Sequence, residues 1–545
     1  MIHHRSPPRR WRRRRRRRRT ITDHPLPEPL IQTILKLLPP KDAIRASLTS
    51  KLWRSAWIAS PLFEFDEQTL PFKQADFYDY VERTLALWLN HCDDHTLKME
   101  KLSLCSDLGK DGIFFPRLIE FVSIATNRNV KIIQLQNRSK VYSGMISSND
   151  SLWSLFSACK SLDVLSMNCF ELSLGNSLPV ISSVKKLHLS CVGIDESSLK
   201  NLLSSLPLLE ELEVVFCFRF TELLISCPKL KILVANMFGN TAKYISIDAM
   251  NLQSFTYIRS LNSRGSVRFL KNCKFLKSMI IENTTFHTAD EFEECLSQIP
   301  FLEYLNLECC HMVEEKEGVQ ISHSNLKSLV VRRCFSLHKA EFNTPNLRFF
   351  EYSGAVITLF KIRYCSGKLN AKIELYTGYL DGTEWFWFVK LRNFVEIFCD
   401  CEVLSMALHI EGFPEELRNN DMLPDPFFEL RHLNISSSRY LISQYANFFD
   451  PLVKIFPCVE TLKMKTRDCA ISIEFDEDRD FTYNWKSLTS ASNNDGHIKE
   501  SVEAIVNSLS YSEEQNSANE YSEMDVRGRN GVNISNLHFG LELSG

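Results

Sequence analysis

Residues 184–214 read VKKLHLSCVGIDESSLKNLLSSLPLLEELEV and contain the same short motif twice. The hexamers VKKLHL, from Val184, and LEELEV, from Leu209, both have apolar residues at their first, fourth and sixth positions. The alternation at the end of each hexamer is typical of a β-strand with one buried face. Because the two copies begin 25 residues apart, the stretch predicts a structural unit that repeats.

The motif recurs along most of the chain. Further copies begin at Met99, Val130, Leu162, Leu230, Leu252, Leu276, Leu302, Leu326, Leu347, Val403, Leu430 and Val459. Between Leu162 and Leu347, consecutive copies begin 21 to 26 residues apart. This spacing lies within the period of about 20 to 29 residues of leucine-rich repeats, in which each unit adds one strand to a parallel sheet. The sequence therefore predicts an α/β fold, a leucine-rich-repeat solenoid with a parallel concave sheet, over residues 96–466.

A cysteine or asparagine often follows a predicted strand, seven or eight positions after the hexamer begins. These residues are Cys169, Cys191, Cys217, Asn283, Cys310 and Cys334. We expect them to turn the chain after the strand with their side chains pointing inward. The N-terminus has no apolar segment of the kind that directs secretion, so we expect the 17 cysteines to be mostly thiols.

Residues 26–57, LPEPLIQTILKLLPPKDAIRASLTSKLWRSAW, have a different character. Leu30, Ile31, Ile34, Leu35 and Leu38 fall on one stripe of a helix that prolines bound on both sides. Two more short helices follow. Such a small module has more apolar surface than it can bury, so it needs a partner surface.

This stretch resembles the F-box, and together with the repeats it resembles plant-type F-box/leucine-rich-repeat proteins over residues 26–466. The matching residues are Leu26-Pro27, Ile31, Ile34-Leu35, Leu38-Pro39, Lys41-Asp42-Ala43, Arg45, Ser47, Ser50-Lys51, Trp53-Arg54 and Trp57. The resemblance implies a substrate adaptor of an SCF-type cullin–RING ubiquitin ligase. The F-box would dock on a Skp-type subunit linked to the cullin scaffold, and the repeats would hold a target protein. The implied docking residues are Leu26, Pro27, Ile31, Ile34, Leu35, Leu38, Pro39, Leu48 and Trp53.

Two residues depart from the family pattern. Thr49 stands where the family usually has leucine, and Leu52 where it often has arginine. A buried threonine in place of leucine loses about 1–3 kcal/mol of apolar burial. We therefore expect weaker binding of the Skp-type subunit than is typical.

Alternate residues of each predicted strand face the concave surface, where the repeats would hold a target. The candidate residues are Glu211, Glu213, Glu282, Tyr304, Asn306, Glu308 and Arg332. Their acidic tendency suggests a target with a basic segment, and the alternative is an ordinary solvated strand face.

The N-terminal arm carries the opposite charge. Residues 1–19 contain eleven arginines and no acid, whereas the remaining chain has 53 basic and 66 acidic residues. We expect residues 1–24 to be disordered, and to act as a nuclear-localisation or nucleic-acid patch or as a dispensable extension. The alternative function is therefore a nuclear repeat scaffold or nucleic-acid binder, and we expect the protein in the nucleus, the cytoplasm or both.

The remaining segments complete the predicted domains. The F-box occupies 25–65, a linker 66–95, and a mostly disordered polar tail 467–545, with a short helix near Ile498–Leu509. Within the repeats, Trp385, Phe388, Leu391, Phe394, Val395 and Phe398 have the spacing of an amphipathic helix. This helix either packs on the solenoid or presents an aromatic docking face.

Motifs for chemistry are missing from the sequence. It has no G-x-S-x-G, G-x-G-x-x-G, H-E-x-x-H or C-x-x-C pattern and no apolar run long enough to span a membrane. Cys399-Asp-Cys401 and Cys92-Asp-Asp-His95 each offer one short cluster, whereas a structural zinc site needs four ligands. The sequence therefore predicts a non-enzymatic protein with no metal or cofactor.

Overall fold

The computed structural model has the predicted α/β architecture, a small helical module followed by a long parallel sheet. It describes residues 26–38, 40–69, 74–91, 98–108, 113–138, 146–147, 150–175, 178–238, 244–259, 266–286, 288–312, 319–334, 339–355, 359–364, 368–377, 385–410, 426–428, 430–437, 441–444, 455–475, 481–488, 495–516 and 539–540. The predictions for the arginine-rich arm and for Cys92–His95 concern residues outside these ranges.

Three helices form the N-terminal module: α1 Glu28–Leu37, α2 Pro40–Ser47 and α3 Lys51–Ile58. Ser50 caps α3, because its hydroxyl accepts a hydrogen bond of 3.2 Å from the backbone N–H of Trp53. The helices share a small core of their own, formed by Ile31, Leu35, Ala43 and Ala56. This core is separate from the core of the repeats. The helices of the module therefore pack on one another, and the apolar surface of the module is not buried in the core of the solenoid.

One continuous sheet lines the concave side of the repeats. Its strands are β1 Leu62–Asp66, β2 Lys101–Ser106, β3 Ile132–Asn137, β4 Val164–Asn168, β5 Lys186–Ser190, β6 Glu211–Val215, β7 Ile232–Asn236, β8 Ser254–Ile258, β9 Ser278–Glu282, β10 Tyr304–Glu308, β11 Ser328–Arg332, β12 Phe349–Gly354, β13 Asn370–Thr377, β14 Val403–Ile410, β15 His432–Ser436, β16 Thr461–Lys465, β17 Cys469–Phe475 and β18 Phe481–Ser487. From β1 to β16 each strand pairs in parallel with the next, and β17 and β18 continue the sheet antiparallel.

The register of the sheet follows the repeat. Glu211 of β6 lies opposite Lys186 on one side and Ile232 on the other, which are the same positions of the neighbouring repeats. Within β6, Leu212 and Val214 are buried, while the residues between and beside them face solvent. This confirms the predicted orientation and means that equivalent positions form rows of side chains across the concave face.

Helices and short strands form the rest of the solenoid. The helices are α4 Gln74–His91, α5 Phe115–Asn127, α6 Asp150–Ala158, α7 Glu196–Ser204, α8 Ala289–Ser297, α9 Trp385–Glu396 and α10 Asp495–Asn516, with 3-10 turns at Glu67–Thr69 and Ile442–Gln444. The short strands outside the concave sheet are Ile146–Ser147, Phe170–Leu172, Gly193–Ile194, Glu222–Ser226, Tyr244–Asp248, Ser266–Lys271, Thr285–Phe286, His311–Met312, Val319–Ser322, Lys339–Asn343 and Leu359–Arg363. A further short strand, Phe539–Gly540, pairs in parallel with β18 and belongs to the concave sheet.

Helix α9 packs on the solenoid. Leu391, Phe394, Val395 and Phe398 are buried in the core of the repeats, which favours the packing interpretation of this amphipathic segment. The side chains of Trp385 and Phe388 lie outside the described residues.

Both ends of the solenoid extend beyond the predicted repeat boundaries. In the segment predicted as a linker, α4 buries Phe77, Val81, Leu85 and Trp88 in the repeat core. In the segment predicted as a disordered tail, β17 and β18 extend the sheet, and α10 buries apolar side chains against it. Helix α10 includes the short helix predicted near Ile498–Leu509, whereas α4 and the hairpin were not predicted, because a helix and an antiparallel hairpin bury apolar residues without following the repeat pattern.

The two predicted turn positions after the strands have different environments. Cys169, Cys191 and Asn283 follow their strands immediately, have φ values of 60°, 52° and 55°, and are only partly buried. Cys217 and Cys310 lie one position later and are buried. The expectation that all these side chains point inward is therefore wrong for the first position, where the chain reverses in the left-handed region.

The buried cysteines have a structural role. The thiol of Cys217 donates to the carbonyl of Leu189 at 3.4 Å, and that of Cys310 donates to the carbonyl of Ile281 at 3.5 Å. Burial raises the pKa of Cys217 to about 12. Its thiol therefore stays protonated near neutral pH and links consecutive repeats instead of acting as a nucleophile.

Candidate interaction surfaces

Helix α1 presents apolar side chains on two different faces. Ile31 is fully buried and Leu35 is 6% exposed, and both lie in the core of the helical module. Leu30 and Leu37 are seven residues apart in the helix, so they share a face about 100° or more from that buried pair, and Leu26 lies two residues before the helix begins. These three side chains, here called the outer leucine stripe, are 45%, 51% and 82% exposed.

A further leucine is exposed where α2 ends. Leu48 is 77% exposed, and its backbone N–H donates to the carbonyl of Arg45 as the helix closes. Burying one leucine side chain contributes about 1.5–3 kcal/mol to folding stability. The outer leucine stripe and Leu48 together leave four leucines exposed, so this small module lacks the stabilisation that their burial would contribute. An apolar surface of this kind is typical of a protein–protein interface.

The concave sheet carries charges that are largely compensated between neighbouring strands. Glu211 accepts from Lys186 at 2.8 Å, and Glu213 lies 2.6 Å from Nδ1 of His188. Near the N-terminal end, Glu64 pairs with Lys101. In the register Lys186 lies directly opposite Glu211, and His188 directly opposite Glu213, so these carboxylates find their partners one repeat away.

The most buried charge on this face is Glu351 of β12, whose side chain is 7% exposed. Its two oxygens accept hydrogen bonds from Nε and Nη2 of Arg332 at 3.2 and 2.9 Å. Nζ of Lys372 donates to it from the other side at 2.9 Å. Arg332 also lies 3.8 Å from Glu308, so the network joins strands β10 to β13.

A serine, a histidine and a glutamate meet further along the face. Nε2 of His409 lies 2.5 Å from Glu374, its Nδ1 contacts the hydroxyl of Ser436, and its ring stacks on Tyr376 at 4.5 Å. Nucleophilic catalysis uses the same residue types, but it also needs free N–H groups to stabilise an oxyanion. The N–H that follows Ser436 already donates to the carbonyl of Lys465, so this arrangement braces three strands.

Other kinds of site are missing from the part of the chain that the structure describes. There, no cluster of three or more histidine, cysteine, aspartate or glutamate side chains could hold a metal ion. The described helices also include none that is both long and apolar enough to cross a membrane.

Comparison with known families agrees with this architecture. A model described as "At1g61320/AtMIF1, LRR domain" matches residues 89–289 and 270–474, and the F-box domain model matches residues 25–65. The chain is a member of the F-box/leucine-rich-repeat family.

Relatives from Arabidopsis thaliana are named as F-box proteins, and one of the two described here is also named for leucine-rich repeats. The chain is 30% identical to "Putative F-box protein At1g49610" over 44% of its own length and 58% of the relative's. It is 31% identical to "F-box/FBD/LRR-repeat protein At4g00160" over 35% of its own length and 40% of that relative's. The chain therefore spans about half the length of the curated relatives it matches.

The implied docking residues of this F-box/LRR protein occupy three environments. Ile31 and Leu35 form its internal core, so they hold the helices together and do not face a partner in this structure. Ile34, Leu38 and Trp53 are half-buried, whereas Leu26, Pro27 and Leu48 are exposed, and Pro39 lies outside the described residues. The search for a single helix stripe missed Leu37 and assigned Leu30 to the wrong face, because the two apolar faces of α1 lie close together in sequence.

The two departures from the F-box pattern, Thr49 and Leu52, have little effect on the structure of the F-box. Thr49 is exposed, and its hydroxyl donates to the carbonyl of Ala46 at 2.7 Å at the end of α2. Leu52 is half-buried and packs on the core of the helical module. The expected loss of burial energy at Thr49 is therefore wrong for the chain by itself, because that side chain is not buried in it.

The candidate residues of the concave face lie on one surface but differ in accessibility. Glu211, Glu213, Glu308 and Arg332 form the ion pairs described above. Burial and the neighbouring Glu308 carboxylate raise the pKa of Glu282. Asn306 is 6% exposed, lying between Ile280 and Val330 in its row. That a target would have a basic segment stays a prediction, and most of the carboxylates that suggested it are already paired.

We expect the substitution Glu351→Ala to lower the free energy of unfolding of this F-box/LRR protein by about 2–3 kcal/mol. Removing one partner of a buried ion pair leaves the other charges uncompensated, although Arg332 and Lys372 are partly exposed and solvent reduces that cost. Urea denaturation of the full chain, followed by circular dichroism, measures the change. The matched control is Glu303→Ala, which removes an exposed carboxylate 2.8 Å from Lys327 and should leave the midpoint unchanged.

The ion pairs of Glu351 with Arg332 and Lys372 also predict that the stability of the protein depends on pH. Burial tends to raise the pKa of Glu351, but the hydrogen bonds from Arg332 and Lys372 outweigh it and lower that pKa. The stabilisation is thus present above the ordinary glutamate pKa of about 4.3 and is lost as the pH falls through the lower folded value. The stability difference between wild type and Glu351→Ala should be constant above about pH 5 and shrink below about pH 4. A constant difference down to pH 2 would contradict this account.

Proposed function

We propose that this protein is the substrate adaptor of an SCF-type cullin–RING ubiquitin ligase, in which the F-box binds a Skp-type subunit and the repeats bind a target protein. One observation carries the proposal. The F-box leaves the outer leucine stripe and Leu48 exposed, while its own core and the core of the repeats are already complete. An interface with a second subunit would bury such a surface.

The adaptor needs no chemistry of its own. It would hold a target lysine near the ubiquitin-charged enzyme, which raises the effective concentration of the reacting groups. The buried, protonated cysteines and the compensated concave face suit a rigid binding scaffold.

Co-purification tests the proposal. We expect the full chain, co-expressed with a Skp-type subunit and the N-terminal half of a cullin, to elute as a single ternary complex in size-exclusion chromatography with light scattering. Trp53→Ala should weaken the complex, because Trp53 packs on the core that orients the F-box helices. If the Skp-type subunit fails to bind the wild-type chain, the adaptor function is lost.

The arginine-rich arm favours a second candidate function, a nuclear scaffold or nucleic-acid binder. Its eleven arginines would bind phosphates with a strong dependence on salt. Deletion of residues 1–19 should then abolish a salt-sensitive interaction with nucleic acid and shift the protein from the nucleus to the cytoplasm. If both are unchanged by the deletion, the arm is dispensable.

A further inference from the structure

A groove of about 430 Å³ lies at the C-terminal end of the concave sheet, where the parallel repeats meet the antiparallel hairpin. It crosses strands β15 to β18. Its lining residues are Asn434, Ile435, Ser436, Lys463, Met464, Lys465, Ala470, Ile471, Ser472, Asn484 and Lys486. These residues define the C-terminal groove.

The register explains why a groove forms here. Ala470 of β17 lies between Lys465 and Lys486, and Ser472 lies between Lys463 and Asn484. Small side chains therefore form the floor, and long or polar side chains on the strands to either side form the walls. The antiparallel hairpin thus produces a channel that a continuing parallel repeat with larger side chains would fill.

The charge of the C-terminal groove differs from that of the rest of the concave face. Among the described residues, its lining contains three lysines and no acidic residue. Lys101, Lys186 and Lys372 each pair with a glutamate, whereas Lys463 and Lys465 have no carboxylate within ion-pair distance in the described parts of the chain. The neighbouring Glu474 lies one row away, opposite Thr461, and does not line the groove.

Other polar side chains of the groove can donate hydrogen bonds to a ligand. Asn434, Asn484 and the hydroxyl of Ser472 lie beside the lysines. Lys463 and Lys465 are two residues apart on one strand, about 6.5–7 Å along it. Alternate residues of an extended peptide have the same separation, so two carboxylates on one side of such a peptide could each meet one lysine.

We propose that the C-terminal groove binds an extended acidic segment of the target protein, with carboxylates on alternate residues contacting Lys463 and Lys465 and a further carboxylate near Lys486. This inference rests on the proposed adaptor function for the identity of the partner. The charge of this expected segment is opposite to that of the basic segment expected from the sequence, because most of the acidic residues that suggested a basic segment are paired, whereas Lys463 and Lys465 form no ion pair within the described residues.

A direct binding measurement on the full chain tests the inference. The probe is a fluorescein-labelled peptide, Gly-Asp-Thr-Asp-Thr-Asp-Gly, and fluorescence anisotropy gives its Kd in 50 mM salt. We expect saturable binding that weakens as salt rises, and a loss of at least about tenfold in affinity for the double variant Lys463→Glu, Lys465→Glu. The double variant Lys463→Arg, Lys465→Arg should retain binding, because arginine keeps both charges.

A matched control separates the groove from the net charge of the protein. Lys229→Glu with Lys274→Glu reverses two exposed lysines in the turns before β7 and β9, outside the groove, and should leave the Kd within about twofold. Circular dichroism and thermal unfolding show whether each variant is folded. The proposal is overturned if the groove variant binds as well as the wild type, or if the same peptide with asparagine in place of aspartate binds equally.

The chain itself contains a competing acidic segment, YSEEQNSANEYSEMD at residues 511–525. If the protein binds the probe only once residues 517–545 have been removed, the occupant of the groove lies within those residues of the chain itself, and the proposal is overturned. The measurement contains no Skp-type subunit. A negative result would therefore leave the F-box function standing, and a failure of co-purification would leave the groove result standing.

Discussion

Replacing Leu30 and Leu48 by aspartate should reduce binding of a Skp-type subunit by at least about 100-fold without unfolding the chain. Both side chains are more than half exposed, so the free chain loses little when they change. In a complex they would be buried, and two apolar anchors of an interface commonly contribute about 2–4 kcal/mol or more. Since about 1.4 kcal/mol corresponds to a tenfold change in Kd, a loss of two or more orders of magnitude follows.

Isothermal titration calorimetry with purified Skp-type subunit measures this change. The matched control is Leu87→Asp, which alters a leucine that is 58% exposed on α4, outside the F-box. It should bind like the wild type. By contrast, Ile31→Ala empties part of the internal F-box core and should lower both stability and binding, at a cost of about 2–4 kcal/mol in folding. Normal binding by the double aspartate variant would place the interface elsewhere.

Ending the chain at residue 466 should make the protein aggregate. Truncation removes β17, β18 and α10, which bury Cys469, Ile471, Ile473, Ile498, Val502, Ile505 and Val506 in the core of the repeats. At roughly 1.5–3 kcal/mol for each large side chain, the loss is on the order of 10 kcal/mol, which is comparable to the net stability of a domain. It also leaves β16 as an unpaired edge that can pair with other chains.

Expression of matched truncations checks this expectation. A chain that ends at residue 516 keeps the hairpin and α10, so it should be soluble and melt like the full chain in differential scanning fluorimetry. The chain that ends at residue 466 should enter the insoluble fraction or elute in the void volume. If that shorter chain is monomeric and melts at the same temperature, then residues 469–506 do not cap the solenoid.

The repeats could be predicted from the sequence because their signal is local and is repeated many times. Each hexamer places the same residue types at the same positions, so Leu212 and Val214 were assigned correctly to the core from the pattern alone. The F-box was predictable for a related reason: its helix boundaries are marked by prolines and by the Ser50 cap. The resemblance of the F-box and the repeats together, over residues 26–466, then indicated the family, which the F-box and repeat models confirmed.

The features that the sequence did not predict depend on contacts between distant residues. Helix α1 has two apolar faces, and only its packing against α2 and α3 decides that Ile31 is internal while Leu30 is exposed. On the concave sheet, Glu211 lies 25 positions from Lys186 in sequence, so the sequence shows its charge but not its partner.

The sequence by itself determined the repeat, the orientation of its strands and the F-box, because periodic burial of apolar side chains is dictated residue by residue. The tertiary structure decided which surfaces remain available for binding. It paired the carboxylates that had suggested an acidic face, and it used the apparent tail to close the core. It also left Lys463 and Lys465 beside a channel floored by Ala470 and Ser472. Whether a charge is compensated and whether the core is capped depends on residues that are far apart in the sequence and become neighbours only in the folded chain.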